Sequence, residues 1–276
     1  MKKRNVKVRK FGLYFLLLVG ALISLFPFYW SAIGATNESG SMFTKPPTLI
    51  PGNQLLENMS NLNEQIGIGR VMFNSLFISI TYTIIALFVC SMASYAFAKF
   101  KFKGRDIIFT IFLLSMMVPY HATIIPLFKM MASWGWLNQY QAVILPNIAY
   151  PFAIFLMRQN MLAFPTALIE ASRIDGASEW KIFYKVVLPS MKPALAATAI
   201  FLFMYQWNSF LWPLIALSST DMYTFPVALS SLFGLSRIDY GQVMTGVTLA
   251  TVPIIIFFLS LQRYFISGML GSALKE

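Results

Sequence analysis

Residues 170–193 read EASRIDGASEWKIFYKVVLPSMKP. After Arg105 this is the one long polar segment of an otherwise apolar chain. Pro165 suits the start of a short helix, where its missing N–H costs little. Ala167 to Ile174 then read as helix, with Glu170 in the first half, favourable to the helix dipole. Asp175-Gly176 breaks that helix, because glycine takes a positive φ that other residues resist. Ser178 is a suitable N-cap for a second short helix, with Glu179 in its first turn. Trp180, Phe183, Tyr184 and Val187 recur at helical spacing and form an apolar stripe. Leu188-Pro189 is expected to end that helix. The expectation is a helix–turn–helix knob across 165–189. By itself the pattern also fits a plain connection whose aromatic face rests on lipid headgroups.

The surroundings of the loop place it in a membrane protein. Of 276 residues, 58% are hydrophobic and 11% charged, against about 25% charged in soluble domains. A helix needs roughly 20 apolar residues to cross the hydrocarbon core. Six runs qualify, at about 11–35, 71–98, 106–128, 140–162, 190–216 and 243–264. Residues 1–10 form a basic N-terminus ahead of them. The first run follows six basic residues as a signal peptide would, but it is expected to be a retained span, because a signal-peptide core covers about 7–15 residues and Phe11 to Ala35 is longer and uncharged. Pro119, Pro126, Pro146, Pro151 and Pro213 are expected to bend or break helices, which neighbouring helices then accommodate. The fold class is all-α.

Basic residues orient the runs. With the N-terminus inside, 17 of the 21 Lys and Arg fall on the cytoplasmic side and 4 outside. Both termini and the 165–189 loop are then cytoplasmic. The net charge of +11 belongs to span ends and the bilayer rather than to nucleic acid. Cys90 is the only cysteine and lies in an apolar run, so no intramolecular disulfide is available.

Missing features narrow the function. There is no G-x-x-x-x-G-K, hence no phosphate-cradling loop of the chain's own. There is no H-E-x-x-H, no metal-ligating cluster and no nucleophile constellation. Proton-coupled carriers place titratable relays along the path; here His121 is the one ionisable candidate well inside a span. It is either part of a substrate path or a neutral histidine bonded between helices. Tyr205, Gln206 and Asn208 put a ring and amides in one turn of the fifth run. Sugars want stacking surfaces and hydrogen-bond partners, though helix packing and capping use the same residue types.

The loop resembles the EAA motif of permease subunits of binding-protein-dependent ABC importers. Glu170-Ala171-Ser172 opens the motif, Gly176 follows after three residues, and Val186-Val187-Leu188-Pro189 follows after nine more. Ser172 and Val186 are small or conservative departures from Ala and Ile. Asp175-Gly176-Ala177, the segment WNSFLWP at 207–213, and the tail from Gln262-Arg263-Tyr264-Phe265 through Gly268 to Lys275 are similar to carbohydrate permeases. The short outer loops resemble the smaller permease of maltose-type and multiple-sugar systems.

The resemblance implies a type I importer fold of six transmembrane helices with a cytoplasmic coupling helix, in a bacterial inner or plasma membrane. It implies a second permease forming a heterodimer, two ATPase subunits and an extracytoplasmic sugar-binding protein. ATP hydrolysis belongs to the partners, so the chain itself is no enzyme and carries no catalytic residue, cofactor or metal. Glu170, Ala171, Ser172, Asp175, Gly176, Ala177, Phe183, Leu188 and Pro189 would make the coupling element. Tyr205, Gln206, Asn208 and His121 would lie on the substrate path. The outer segment 217–242, with Tyr223, Phe225, Phe233 and Tyr240, would meet the binding protein. The competing class is a secondary transporter or another polytopic protein without ATPase partners; it predicts inverted repeats or intramembrane carboxylates, and neither is evident.

Overall fold

The computed structural model describes the backbone of residues 2–234 and 237–273, and side chains from Lys10 to Tyr264 within those limits. Leu274 and Lys275 of the tail motif, and the side chains of most of the basic N-terminus, lie outside the described residues. Every regular element among them is helical.

In chain order the helices are α1 (Lys2–Ala35), α2 (Leu55–Ile66), α3 (Ile68–Lys99), α4 (Arg105–Ser115) and α5 (Tyr120–Ser133). They continue with α6 (Tyr140–Ile144), α7 (Pro151–Leu162), α8 (Thr166–Ile174), α9 (Glu179–Ile182) and α10 (Leu188–Ser190). The last four are α11 (Lys192–Trp207), α12 (Leu211–Ala216), α13 (Phe225–Ser231) and α14 (Tyr240–Ala273). Parts of α1, α3 and α14 are each long and apolar enough to cross a membrane unaided. Three bent pairs add to them: α4 with α5 at 98°, α7 with α8 at 76°, and the α9–α10 stretch with α11 at 83°. The span count by length therefore runs from three to six.

Where the sequence read three continuous later runs, the helices are interrupted. The run 106–128 breaks at 116–119, ending on Pro119. The run 140–162 is α6 and α7 joined by a non-helical link at 145–150 that contains Pro146. The run 190–216 pauses at 208–210, between α11 and α12. Proline cannot donate the helix hydrogen bond and pushes the preceding residue out of the α region. Breaks at the first two sites follow from that. Pro126 and Pro253, by contrast, remain inside helices.

The chain forms two compact units. The smaller holds residues 1–68 and 229–252. Along α1 the apolar side chains from Phe11 to Tyr29 are largely exposed, as a lipid-facing helix requires. A small core of Leu62, Leu232 and Val243 closes the other end. There Asn58 is buried and its Nδ2 donates to the carbonyls of Ala35 (2.9 Å) and Asn37 (3.0 Å). Asn37 in turn donates to Ile33 and Ile50. An ordinary helix end would leave such carbonyls to water; here one buried amide satisfies two. Asn58→Ala takes the side-chain donor from the Asn37 carbonyl and leaves that of Ala35 only a 3.5 Å contact from Thr245 Oγ1, and a buried unsatisfied group costs about 1–3 kcal/mol. The expected result is a lower thermal denaturation midpoint of the purified protein in detergent. An unchanged midpoint would show that the carbonyls find other partners.

The larger unit, residues 69–228 and 253–276, carries two cores. One is built around Ile78, Tyr82, Ile154, Leu202 and Trp212. The other joins Tyr95, Met157, Met161 and Phe164 to Ile169, Ile182, Phe183 and Val187. This second core seats the polar loop. Phe225 of the outer segment is fully buried and its backbone N–H donates to Ser75 Oγ (2.6 Å). It is therefore a packing residue and not the exposed aromatic expected from sequence, while Phe233 is exposed.

Candidate functional site

The loop folds as two short helices around a glycine turn. Helix α8 ends on Asp175 as C-cap. Gly176 follows with φ +76°. The N–H of Gly176 donates to the Arg173 carbonyl and that of Ala177 to the Ser172 carbonyl, both at 3.0 Å. This is the Schellman arrangement, in which a left-handed residue after the cap lets the chain fold back on the orphan carbonyls. Ser178 then caps α9, its hydroxyl accepting from the N–H of Lys181. Ser172 Oγ donates to the Leu168 carbonyl within α8.

The second helix does not stop at Leu188-Pro189. A π-turn spans Phe183–Val187, helix resumes as α10 through Ser190, and the chain bends only at Met191. Pro189 falls in the first turn of α10, where no intrahelical donor is needed. The wider turn before it leaves room for the ring that would clash with the carbonyl four residues back. The apolar stripe is also divided. Phe183 and Val187 are buried with Ile182, whereas Trp180 and Tyr184 are 65% and 66% exposed. Ile174, at the far end of α8, is 87% exposed.

Electrostatics add a clamp that the sequence pattern did not suggest. Arg173 Nε donates to Glu179 Oε1 at 2.6 Å across the glycine turn. Tyr95 Oη of α3 donates to the other carboxylate oxygen of Glu179 at 3.4 Å. The hydrogen bond from Arg173 holds the Glu179 carboxyl below the usual glutamate range. The loop is thus tied to itself and to α3. A second tie is Lys99, whose Nζ donates to the Phe164 carbonyl at 2.6 Å just ahead of α8. Glu170 is exposed and makes no hydrogen bond or ion pair among the described residues. The signal for Glu179 was present as an Arg six residues ahead of a Glu, but only the reversal at Gly176 makes that spacing close.

The residues singled out in the spans scatter. Gln206 is buried. Asn208 is exposed and its Nδ2 donates back to the Met204 carbonyl at 2.8 Å, finishing α11. His121 is exposed and meets the Tyr120 ring edge-on at 6.0 Å. Tyr205 alone joins a cluster: its ring centroid lies 4.6 Å from Tyr150 and 6.1 Å from Tyr82. Among the described residues there is no group of three or more His, Cys, Asp or Glu able to hold a metal ion.

Comparison with known proteins bears on this architecture. The chain is 41% identical to the lactose transport system permease protein LacG of Rhizobium radiobacter, over 94% of each chain. It is 37% identical to the arabinooligosaccharides transport system permease protein AraQ of Bacillus subtilis, over 95% of this chain and 94% of the relative. It is 32% identical to the sn-glycerol-3-phosphate transport system permease protein UgpE of Yersinia pestis, over 94% and 95%. It also shares the fold of a chain in the crystal structure of a bacterial ABC transporter involved in the import of the acidic polysaccharide alginate. That likeness has a TM-score of 0.78 at 22% identity, covering 93% of this chain and 97% of the other. The family model of the binding-protein-dependent transport system inner membrane component matches residues 86–271, a stretch that contains the glycine-turn loop together with Tyr150 and Tyr205. The chain belongs to that family and is a permease subunit of a bacterial ABC transporter, resident in the membrane.

Proposed function

We propose that this permease subunit carries a carbohydrate inward through a pore shared with a second permease, driven by ATP hydrolysis on two separate subunits docked against 165–189. The observation that carries the proposal is the coupling loop itself. Its glycine turn is locked, its backbone is anchored in a core, and yet it exposes Ile174, Trp180, Tyr184 and the unpaired Glu170. Exposed apolar groups gathered around a rigid polar loop suit a protein partner. Glu170 is then free to accept charge-assisted hydrogen bonds from a basic partner surface. Ala171, Asp175 and Ala177 keep the turn small enough for close approach, while Phe183, Leu188 and Pro189 set the angle of the knob on the pore.

The bends of 76° and 83° on either side of the loop suit helices lying across the spans rather than along them. With the loop and both termini in the cytoplasm, six spans result if the broken runs each cross once. An extracytoplasmic sugar-binding protein would deliver the substrate from the opposite face, meeting 217–242. The carbohydrate class rests on the relatives named for lactose and arabino-oligosaccharides.

The decisive experiment is purification of the assembled transporter followed by ATPase measurement with lactose, arabinotriose and glycerol 3-phosphate, each with the binding protein. The expected result is a stoichiometric ATPase pair and stimulation by a saccharide. Purification of the chain without an ATPase would sink the coupling assignment, and stimulation by glycerol 3-phosphate alone would sink the carbohydrate class. Orientation has its own test. Single cysteines within 170–190, in a Cys90→Ala background, should be reached by impermeant thiol reagents only from the cytoplasmic side. Labelling from outside would invert the topology.

A further inference from the structure

Two of the broken runs converge on one cluster of tyrosines. The link 145–150 ends on Tyr150 at the start of α7, and Tyr205 lies in the last turn of α11 before the break at 208–210. Non-helical backbone at membrane depth persists only where protein buries it or where it lines a water-filled cavity. Part of the link is buried: Tyr82 Oη donates to the Asn147 carbonyl at 3.1 Å, and Cys90 Sγ approaches the carbonyls of Ile148 and Tyr150 at 3.5 and 3.8 Å. Its outer edge is not, because Tyr150 is only half-buried.

The rings pack in a graded way. Tyr82 is fully buried with its hydroxyl satisfied. Tyr205 packs 6.1 Å from it, and Tyr150 packs 4.6 Å from Tyr205 at 46°. Phe201 backs Tyr150 at 5.7 Å. The hydroxyls of Tyr150 and Tyr205 make no hydrogen bond among the described residues. Packing alone would be served by phenylalanine, since a tyrosine away from water normally finds a partner for its O–H.

We infer that Tyr150 and Tyr205 form a neutral saccharide-stacking subsite on the translocation path, at the junction of two interrupted runs. The inference rests on the importer proposal above and narrows it. Ring faces at mixed tilts offer apolar surface to the C–H face of a pyranose or furanose ring. The two free hydroxyls of Tyr150 and Tyr205 supply donors and acceptors to its O–H groups. Among the described residues Tyr150 and Tyr205 make no hydrogen bond with a charged side chain, which suits a neutral saccharide over an anionic solute. Gln206 and Asn208 take no part, one being buried and the other capping its own helix.

The test uses the complete transporter, with its second permease, ATPase pair and binding protein, in liposomes. Tyr150 and Tyr205 are each replaced by Leu, which keeps apolar bulk but loses the ring, and by Trp, which keeps a ring. At saturating sugar-loaded binding protein, the Leu variants should lower uptake of lactose or arabinotriose by about tenfold, the loss of roughly one stacking and hydrogen-bonding contact. The Trp variants should retain most of it, and the ATPase pair should co-purify with all four. Tyr205→Cys in a Cys90→Ala background should react with a water-soluble methanethiosulfonate and be protected by the transported saccharide. Leu variants that transport like wild type, or that lose the ATPase pair together with transport, overturn the subsite and make the cluster a packing element. A Tyr205→Cys thiol that stays unreactive overturns it as well. A wild-type complex that moves neither saccharide overturns the importer proposal, and the subsite with it.

Discussion

Gly176→Val should leave the transporter inserted in the membrane and abolish most of its substrate-stimulated ATP hydrolysis. Gly176 sits at φ +76°, and a Cβ there would meet nothing within 4 Å. Space is therefore not the obstacle; the backbone conformation is. A β-branched residue in the left-handed region is strained by about 1–3 kcal/mol. The chain relieves that strain by rotating φ, which costs the two 3.0 Å hydrogen bonds that close the α8 terminus. Once these open, α9 no longer returns to its place, although the apolar spans that direct insertion are untouched. Gly176→Asn should retain much more activity, because asparagine visits this region more readily. If Gly176→Val binds the ATPase pair tightly and turns over at the full stimulated rate, the loop is not the coupling element. Glu170→Lys makes a complementary probe. Among the described residues the Glu170 side chain makes no hydrogen bond or ion pair, so charge reversal there should weaken ATPase docking with little change in the denaturation midpoint.

Reversing the clamp should have a comparable effect by a different route. Glu179→Lys places a cation against Arg173, where the native carboxylate accepts a 2.6 Å hydrogen bond. Both side chains of the pair are about two-fifths exposed, at 41% and 42%, so its contribution to global stability is small, as for surface pairs generally. Its contribution to placement is larger. It is the one ion pair among the described residues that joins α8 to α9, and Tyr95 extends it to α3. Expected is a loss of stimulated hydrolysis in Glu179→Lys and a substantial recovery in the swapped double variant Arg173→Glu with Glu179→Lys. No recovery would mean that Glu179 acts on the ATPase surface and not on its own loop. The sign of the pH dependence follows from the shift. The folded-state pKa of Glu179 lies below the ordinary 4.5, so the clamp is complete above that value. It is lost as pH falls through the depressed folded value, and neutral-pH assays read the intact clamp.

Much of the loop was legible because its determinants are local. The left-handed turn at Gly176, the Ser178 cap and the helix over 166–174 each depend on residues within a few positions of one another. The apolar runs and the break at Pro119 are local too, set by composition and by the missing proline donor. The EAA spacing could be recognised for the same reason, and the family match and relatives agree with it. The side of the loop that faces inward was not legible. Trp180 and Tyr184 share helical spacing with Phe183 and Val187, yet a π-turn changes the register and leaves the first pair outside. Periodicity assumes 3.6 residues per turn and fails where the winding changes.

The sequence by itself determined that this is an all-helical membrane chain with a protruding, glycine-hinged loop, because hydrophobic run length, basic residues at span ends and turn chemistry act over short distances. Only the tertiary structure decided that Glu179 rather than Glu170 is spent inside the loop and tied to Tyr95, and that Tyr150 and Tyr205 meet. The tie of Glu179 to Tyr95 and the packing of Tyr150 and Tyr205 depend on helices far apart in the chain, and on broken spans whose free backbone groups had to find partners within the protein. No local pattern encodes which distant helix supplies them.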